Sequence, residues 1–290
     1  MEASDIPSPV VQRRRLRTEL RRVRLDAGLT QDQVATAMDW SLSKLIRIEN
    51  GSVNISTNDL RAILAYYKIT DEKRISELLT ISRAARERSW WSSYSDSVSP
   101  RLLQLIEYET AALIARNFQP LLIPGMLQTD EYARISLEQL APPQMLDDRV
   151  DALFNVRMKR QELLRRSDAP LQFFIKDEAV IRRVVGGEGI MRRQLLHVAE
   201  VSEMPNVTVE VVPFSAGLFS GLQSQFLMYE FPDAADDDVL YLEDGRGNLL
   251  IRDDQDEILS FREKFEQLRE GSLGPNGSIE FIRSVVEELK

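Results

Sequence analysis

The chain has 290 residues, 43% hydrophobic and 29% charged, with a formal net charge of −9 and no cysteine. Two packed domains are the natural expectation at this length, and the missing cysteine excludes disulfides and thiolate chemistry and fits a cytoplasmic setting. No apolar run approaches the roughly 18 residues of a transmembrane helix, and the first residues, MEASDIPSPVVQRRRLR, carry no apolar secretory segment.

The opening residues 1–11 contain Pro7, Pro9, Ser4 and Ser8 and read as a flexible arm. Residues 12–88 then read as five helices. Leu16, Leu20, Val23 and Leu25 give the first an apolar stripe that stops near Gly28. Thr30, with Gln33 three residues on, forms a capping box for the second helix, TQDQVATAM, whose apolar pair is Val34 and Met38. A short turn at Asp39–Trp40 leads into a third helix from Ser41 to Gly51. A fourth runs from Ser56 through NDLRAILAYYKI and a fifth starts at Asp71. Residues 89–100 read as a linker or hinge; Trp90, Trp91 and Tyr94 in it either dock the two domains, stack bases or hold a ligand. Residues 101–290 read as an α+β domain. Helices are expected at 101–116, 129–139, 147–166, 188–203, 254–270 and 276–289, and strands at 171–176, 207–214, 225–231, 238–243 and 248–252. The expected sheet is mainly antiparallel.

Charge divides along the same boundary. Residues 1–88 carry 16 Lys+Arg and 12 Asp+Glu, net +4, which leaves net −13 for the remainder. A basic front on an acidic body is the asymmetry expected when one domain touches DNA and the other does something else.

The stretch GLTQDQVATAMDWSLSKLIRIENG has the order helix, tight turn, helix. At 100° per residue, Leu45 and Ile48 define the core face of the third helix, and Ser43, Arg47 and Asn50 lie opposite. Lys44 falls on one flank; Leu42 and Ile46 share the other. Such a helix suits the major groove, with its first residues at base edges and Arg47 one turn later. Gln31, at the start of the preceding helix, is placed for a phosphate. The arginines at 13, 14, 15, 17, 21, 22 and 24 add either salt-sensitive attraction to the DNA backbone or only a solvated face.

On LTQ, VA and IENG, residues 15–85 resemble the XRE/lambda-repressor-like helix-turn-helix family, a five-helix all-α DNA-binding domain. The resemblance implies that Gln31, Ser41, Leu42, Ser43, Lys44 and Arg47 lie at the DNA surface, with Asn50 near a phosphate; Arg13, Arg14 and Arg15 complete the expected interface. Members usually carry Pro where Leu42 stands and a small polar residue where Ile46 stands. On SWWSSYSD, YETAALIARNFQPLLIPGMLQTDEYAR, RMKRQELL, MPNVTVEVVPFSAG and YLED, residues 88–285 resemble the C-terminal domain of WhiJ-type, antitoxin-like actinobacterial regulators. That resemblance implies a small protein partner of the BldB/DUF397 kind.

Other features carry less. QPLLIPGMLQTDEYAR is either a partner surface or a buried corner. His197 is a lone histidine on a helix. Gly186, Gly187 and Gly189 lack the lysine and spacing of a phosphate loop. The runs Asp236–Asp238 and Asp253, Asp254, Asp256, Glu257 fit no EF-hand, and the second reads as the acidic first turn of a helix. No metal and no cofactor is expected. With one histidine and no nucleophile–base pair, an enzyme is not expected either. The reading is a homodimeric regulator bound to double-stranded DNA, whose second domain senses a small protein or a small-molecule ligand. The alternative is an antitoxin-like protein that neutralises a neighbouring protein and regulates its own operon.

Overall fold

The computed structural model describes residues 9–50, 53–87, 89–142, 147–218, 220–223, 225–232, 238–243, 249–252 and 254–289. The chain divides between Ser92 and Ser93 into two compact units.

The first unit is built from α1 (Pro9–Asp26), α2 (Gln31–Ala37), α3 (Leu42–Glu49), α4 (Thr57–Tyr66) and α5 (Glu72–Ala84). Four of the five begin at a side chain that accepts a hydrogen bond from the helix's own amides: Thr30, Ser41, Ser56 and Asp71. Their apolar faces meet in one core, with Leu20, Val34, Leu45, Leu60, Ile63 and Leu64 each 2% exposed or less. Two expectations are corrected here. Residues 9–11 belong to a helix and not to a flexible arm, because Pro9 sits at a helix start, where its missing N–H costs nothing. Leu25 lies outside the core at 57% exposure, since it falls beyond the stripe set by Leu16, Leu20 and Val23. Residues 1–8 and Gly51 lie outside the described residues. Trp90 and Trp91 stand edge to face, 5.5 Å apart, in a 3-10 turn at Trp90–Tyr94.

The second unit holds six strands: β1 (Ile114–Phe118), β2 (Leu171–Asp177), β3 (Val207–Val212), β4 (Phe226–Glu230), β5 (Val239–Glu243) and β6 (Leu249–Arg252). Their order across the sheet is β3-β2-β1-β4-β5-β6. β1, β2 and β3 run parallel, while β4, β5 and β6 each pair antiparallel to the preceding strand in the sheet. The sheet is therefore mixed, not mainly antiparallel. The cause is the helical crossovers: α7 (Asp130–Leu140) and α8 (Asp147–Gln161) join β1 to β2, and α9 (Glu178–Arg182) and α10 (Glu188–Val201) join β2 to β3.

β1 is also the strand absent from the expected set. The helix expected over 101–116 stops early, as α6 (Pro100–Ala111). Two polar residues in five mask the strand pattern of IARNF, and both find partners across the sheet. Arg116 Nε donates to a Glu230 carboxylate oxygen at 2.7 Å, and Asn117 Oδ1 accepts from Lys176 Nζ at 2.7 Å. Alternation along β2 sends Phe174 to one core, with α10 and α12 (Gly274–Glu288), and Ile175 to the other, with Phe261 and Phe265 of α11 (Gln255–Glu270).

Candidate nucleic-acid interface

The angle between α2 and α3 is fixed first by the backbone. Asp39 sits at φ 55, a left-handed conformation that aspartate tolerates better than most residues. The chain then turns back on itself, and the Trp40 amide donates to the Ala35 carbonyl at 2.9 Å. The capping box at Thr30 is reciprocal: Gln33 N donates to Thr30 Oγ1 at 3.2 Å, and Thr30 N donates to Gln33 Oε1 at 2.9 Å.

Beneath this turn lies a buried ion pair. Arg24 donates from Nε to Glu49 Oε1 at 2.7 Å and from Nη2 to Oε2 at 3.0 Å, with both side chains less than 10% exposed. Arg24 Nη1 also holds the Leu29 carbonyl at 2.8 Å, and Gln31 Nε2 donates to Glu49 Oε2 at 2.8 Å. The hydrogen bonds to Glu49 raise the Arg24 pKa above its ordinary value. One network therefore ties α1, the start of α2 and the end of α3. Arg24 does not belong to the basic front; it is a core residue. The sequence carried a signal for this, since the helical wheel sets Glu49 beside Leu45 and Arg24 beside Leu20, one charge of each sign on two core faces.

The expected interface residues fall as follows. Leu45 and Ile48 are buried, and Ser41, Leu42, Ser43, Ile46, Arg47 and Asn50 are exposed. Ser41 is the N-cap, accepting from Lys44 N at 3.2 Å, and its hydroxyl lies 3.2 Å from that of Ser43. Arg47 Nε donates to the Ser43 carbonyl at 3.3 Å. Lys44 is drawn toward α4: its ammonium is 3.2 Å from Asp59 Oδ2 and 3.9 Å from the centre of the Trp40 ring. Asp59 and Trp40 are thus partners that the spacing of α3 alone does not point to. Gln31 gives one amide proton to Glu49 and keeps a second. The Asn50 carbonyl accepts from Arg17 Nη1 at 3.1 Å. Arg13 and Arg14 are half-buried on α1 and Arg15 is exposed.

In the second unit, QPLLIPGMLQT forms a corner that buries Ile123, Met126 and Leu127 at 3% exposure or less and leaves Leu121 59% exposed. Gln161 Nε2 holds the Gly125 and Gln128 carbonyls at 2.8 Å, and Arg157 Nη1 holds Gln128 Oε1 at 2.8 Å. Burial lowers the Arg157 pKa to about 10. Glu109 and Arg160 form a bidentate pair at 2.9 Å. His197 is half-buried, and burial lowers its pKa. Gly186 and Gly187 make a positive-φ loop ahead of α10. Asp254 caps α11, with Asp256 and Glu257 in its first turn. Asp238 accepts from Arg262 Nη2 at 2.6 Å, while Asp236, Asp237 and Asp253 lie outside the described residues. Among the described residues no cluster of three His, Cys, Asp or Glu could hold a metal ion, and no helix is long and apolar enough to cross a membrane.

Comparison with known families gives two matches. Residues 15–76 match a helix-turn-helix domain, and residues 102–284 match the domain of unknown function DUF5753. The second covers the stretch on which the resemblance to WhiJ-type regulators rests, apart from SWWSSYSD ahead of it, and its description names no function. No curated protein and no solved structure gives a significant match.

Proposed function

Because the chain belongs to the DUF5753 family and carries a helix-turn-helix domain ahead of it, we propose that it is a sequence-specific transcriptional regulator. The observation that carries the reading is α3 itself. A capped helix on a unit of net +4 buries Leu45 and Ile48 and presents Ser41, Leu42, Ser43, Arg47 and Asn50 outward. The regulator acts in the cytoplasm as a homodimer, since one such helix reads only half a site and two-fold operators mirror protein symmetry. Its acidic second unit receives the signal, either a small protein of the BldB/DUF397 kind or a small ligand. It works by binding and not by catalysis.

The test is selection of double-stranded DNA from a random pool by the full chain, followed by sedimentation of the complex. The expected result is a two-fold-symmetric site bound by two chains. Recovery of no enriched sequence would sink the reading; enrichment of a single half-site by a monomer would sink the dimer. Adding a small protein of the BldB/DUF397 kind is expected to change DNA affinity, and an unchanged affinity removes the partner from the proposal.

A further inference from the structure

We propose that Leu42 and Ile46 read thymine methyl groups in the major groove, and that this apolar pair sets the sequence preference on its flank of α3. The inference rests on the reading of α3 as a groove-binding helix and names what that helix recognises.

Three observations converge on it. Leu42 is 41% and Ile46 39% exposed, one helical turn apart, on a helix whose other apolar residues are fully buried. On the helical wheel they take the flank between the core face and the outward arc of Ser43 and Arg47. Second, the polar groups near the tip are engaged within the protein. Ser41 caps the helix, and Lys44 is held between Asp59 and the Trp40 ring. Lys44 lies on the opposite flank of α3, so it does not compete with the apolar pair for the base edges beside Leu42. Third, the major groove offers one apolar group for such side chains, the C5-methyl of thymine. Four residues of helix rise about 6 Å, and stacked base pairs are about 3.4 Å apart, so the pair spans about two base-pair steps when α3 runs along the groove.

A protein partner fits the same patch less well. Two side chains about 40% exposed are a small part of the roughly 800 Å² that each partner contributes to a stable interface. They are also flanked by Arg47 on a basic unit, which favours a polyanion.

The experiment replaces each thymine of the selected site, one at a time, by deoxyuridine, which removes only the methyl. Affinities are measured for the full chain, Leu42→Ala and Ile46→Ala, with melting curves to confirm that both exposed substitutions leave the fold intact. The expected result is a loss of about four-fold at one or two thymines, the weight of one buried methyl. At those positions the matching alanine variant shows no further loss. Indifference to every deoxyuridine, or the same sensitivity in all three proteins, overturns the proposal and leaves Leu42 and Ile46 as a contact for a second copy or a protein partner. Failure to select any sequence overturns the DNA reading itself, and is told apart because it precedes the substitution series.

Discussion

At the residue scale, the polar residues of α3 divide into those that face outward and those that hold the helix in place, and the two kinds should respond differently to mutation. Arg47 is exposed and braced on the Ser43 carbonyl. Arg47→Ala is expected to cost about 1–3 kcal/mol of DNA binding and to relax preference at one base pair. An equal loss on all sequences would mean that Arg47 meets only phosphate. Arg24 and Glu49 act on the fold instead. Removing either strands a buried charge, so Arg24→Ala or Glu49→Ala should lower the unfolding free energy by about 3–5 kcal/mol in urea titrations. Arg24→Met with Glu49→Leu should recover much of that, because the cost lies in the unpaired charge. A double variant no more stable than the singles would refute this account. The roles of these two residues were only partly legible in the sequence. Periodicity marks core faces well, but a charge on a core face is read as exposed until its partner, 25 residues away, is known.

At the element scale, β1 shows why a strand can hide. Its neighbours on both sides satisfy its polar residues, so it needs no apolar alternation to be central. Without β1 the remaining strands read as a mainly antiparallel sheet; the signal that corrects this is the helix between 171–176 and 207–214, which makes a parallel crossover. The elements with clean signals, a capping Thr, Ser or Asp before a 3.6-residue stripe, are found within a few residues of their expected bounds. The β1–β2 pair also carries a titration signature. Lys176 is 1% exposed, and burial lowers its pKa well below the ordinary 10.5. Between the folded and unfolded values the unfolded chain holds the extra proton, so stability rises with pH across that window. As pH rises toward the ordinary 10.5 the wild-type chain should gain stability relative to Lys176→Met, by at most about 1.4 kcal/mol per pH unit for one proton. Parallel pH curves for the two proteins would contradict the lowered Lys176 pKa.

At the scale of the whole molecule, opposite net charges sit on the two units, +4 up to residue 88 and −13 beyond it. The acidic unit should weaken binding to random DNA. Residues 1–92, which contain a complete core of their own, are expected to bind non-specific DNA more tightly than the full chain at low salt. The gap should close as ionic strength shortens the Debye length from about 10 Å at 0.1 M. Equal affinities at low salt would show that the second unit does not act electrostatically. The charge division was legible from the first count of residues; the direction of three strands and the interior place of Arg24 were not, because both depend on contacts between distant segments.

The Arg24–Glu49–Gln31 network has a consequence for control. It bolts α1, α2 and α3 together through four hydrogen bonds, so the reading head behaves as a single stiff key. Reshaping the key would require breaking a buried ion pair, which is too costly for a modest signal. Substitutions on the outward side of α3 can therefore recut the teeth of the key while its shank keeps its angle.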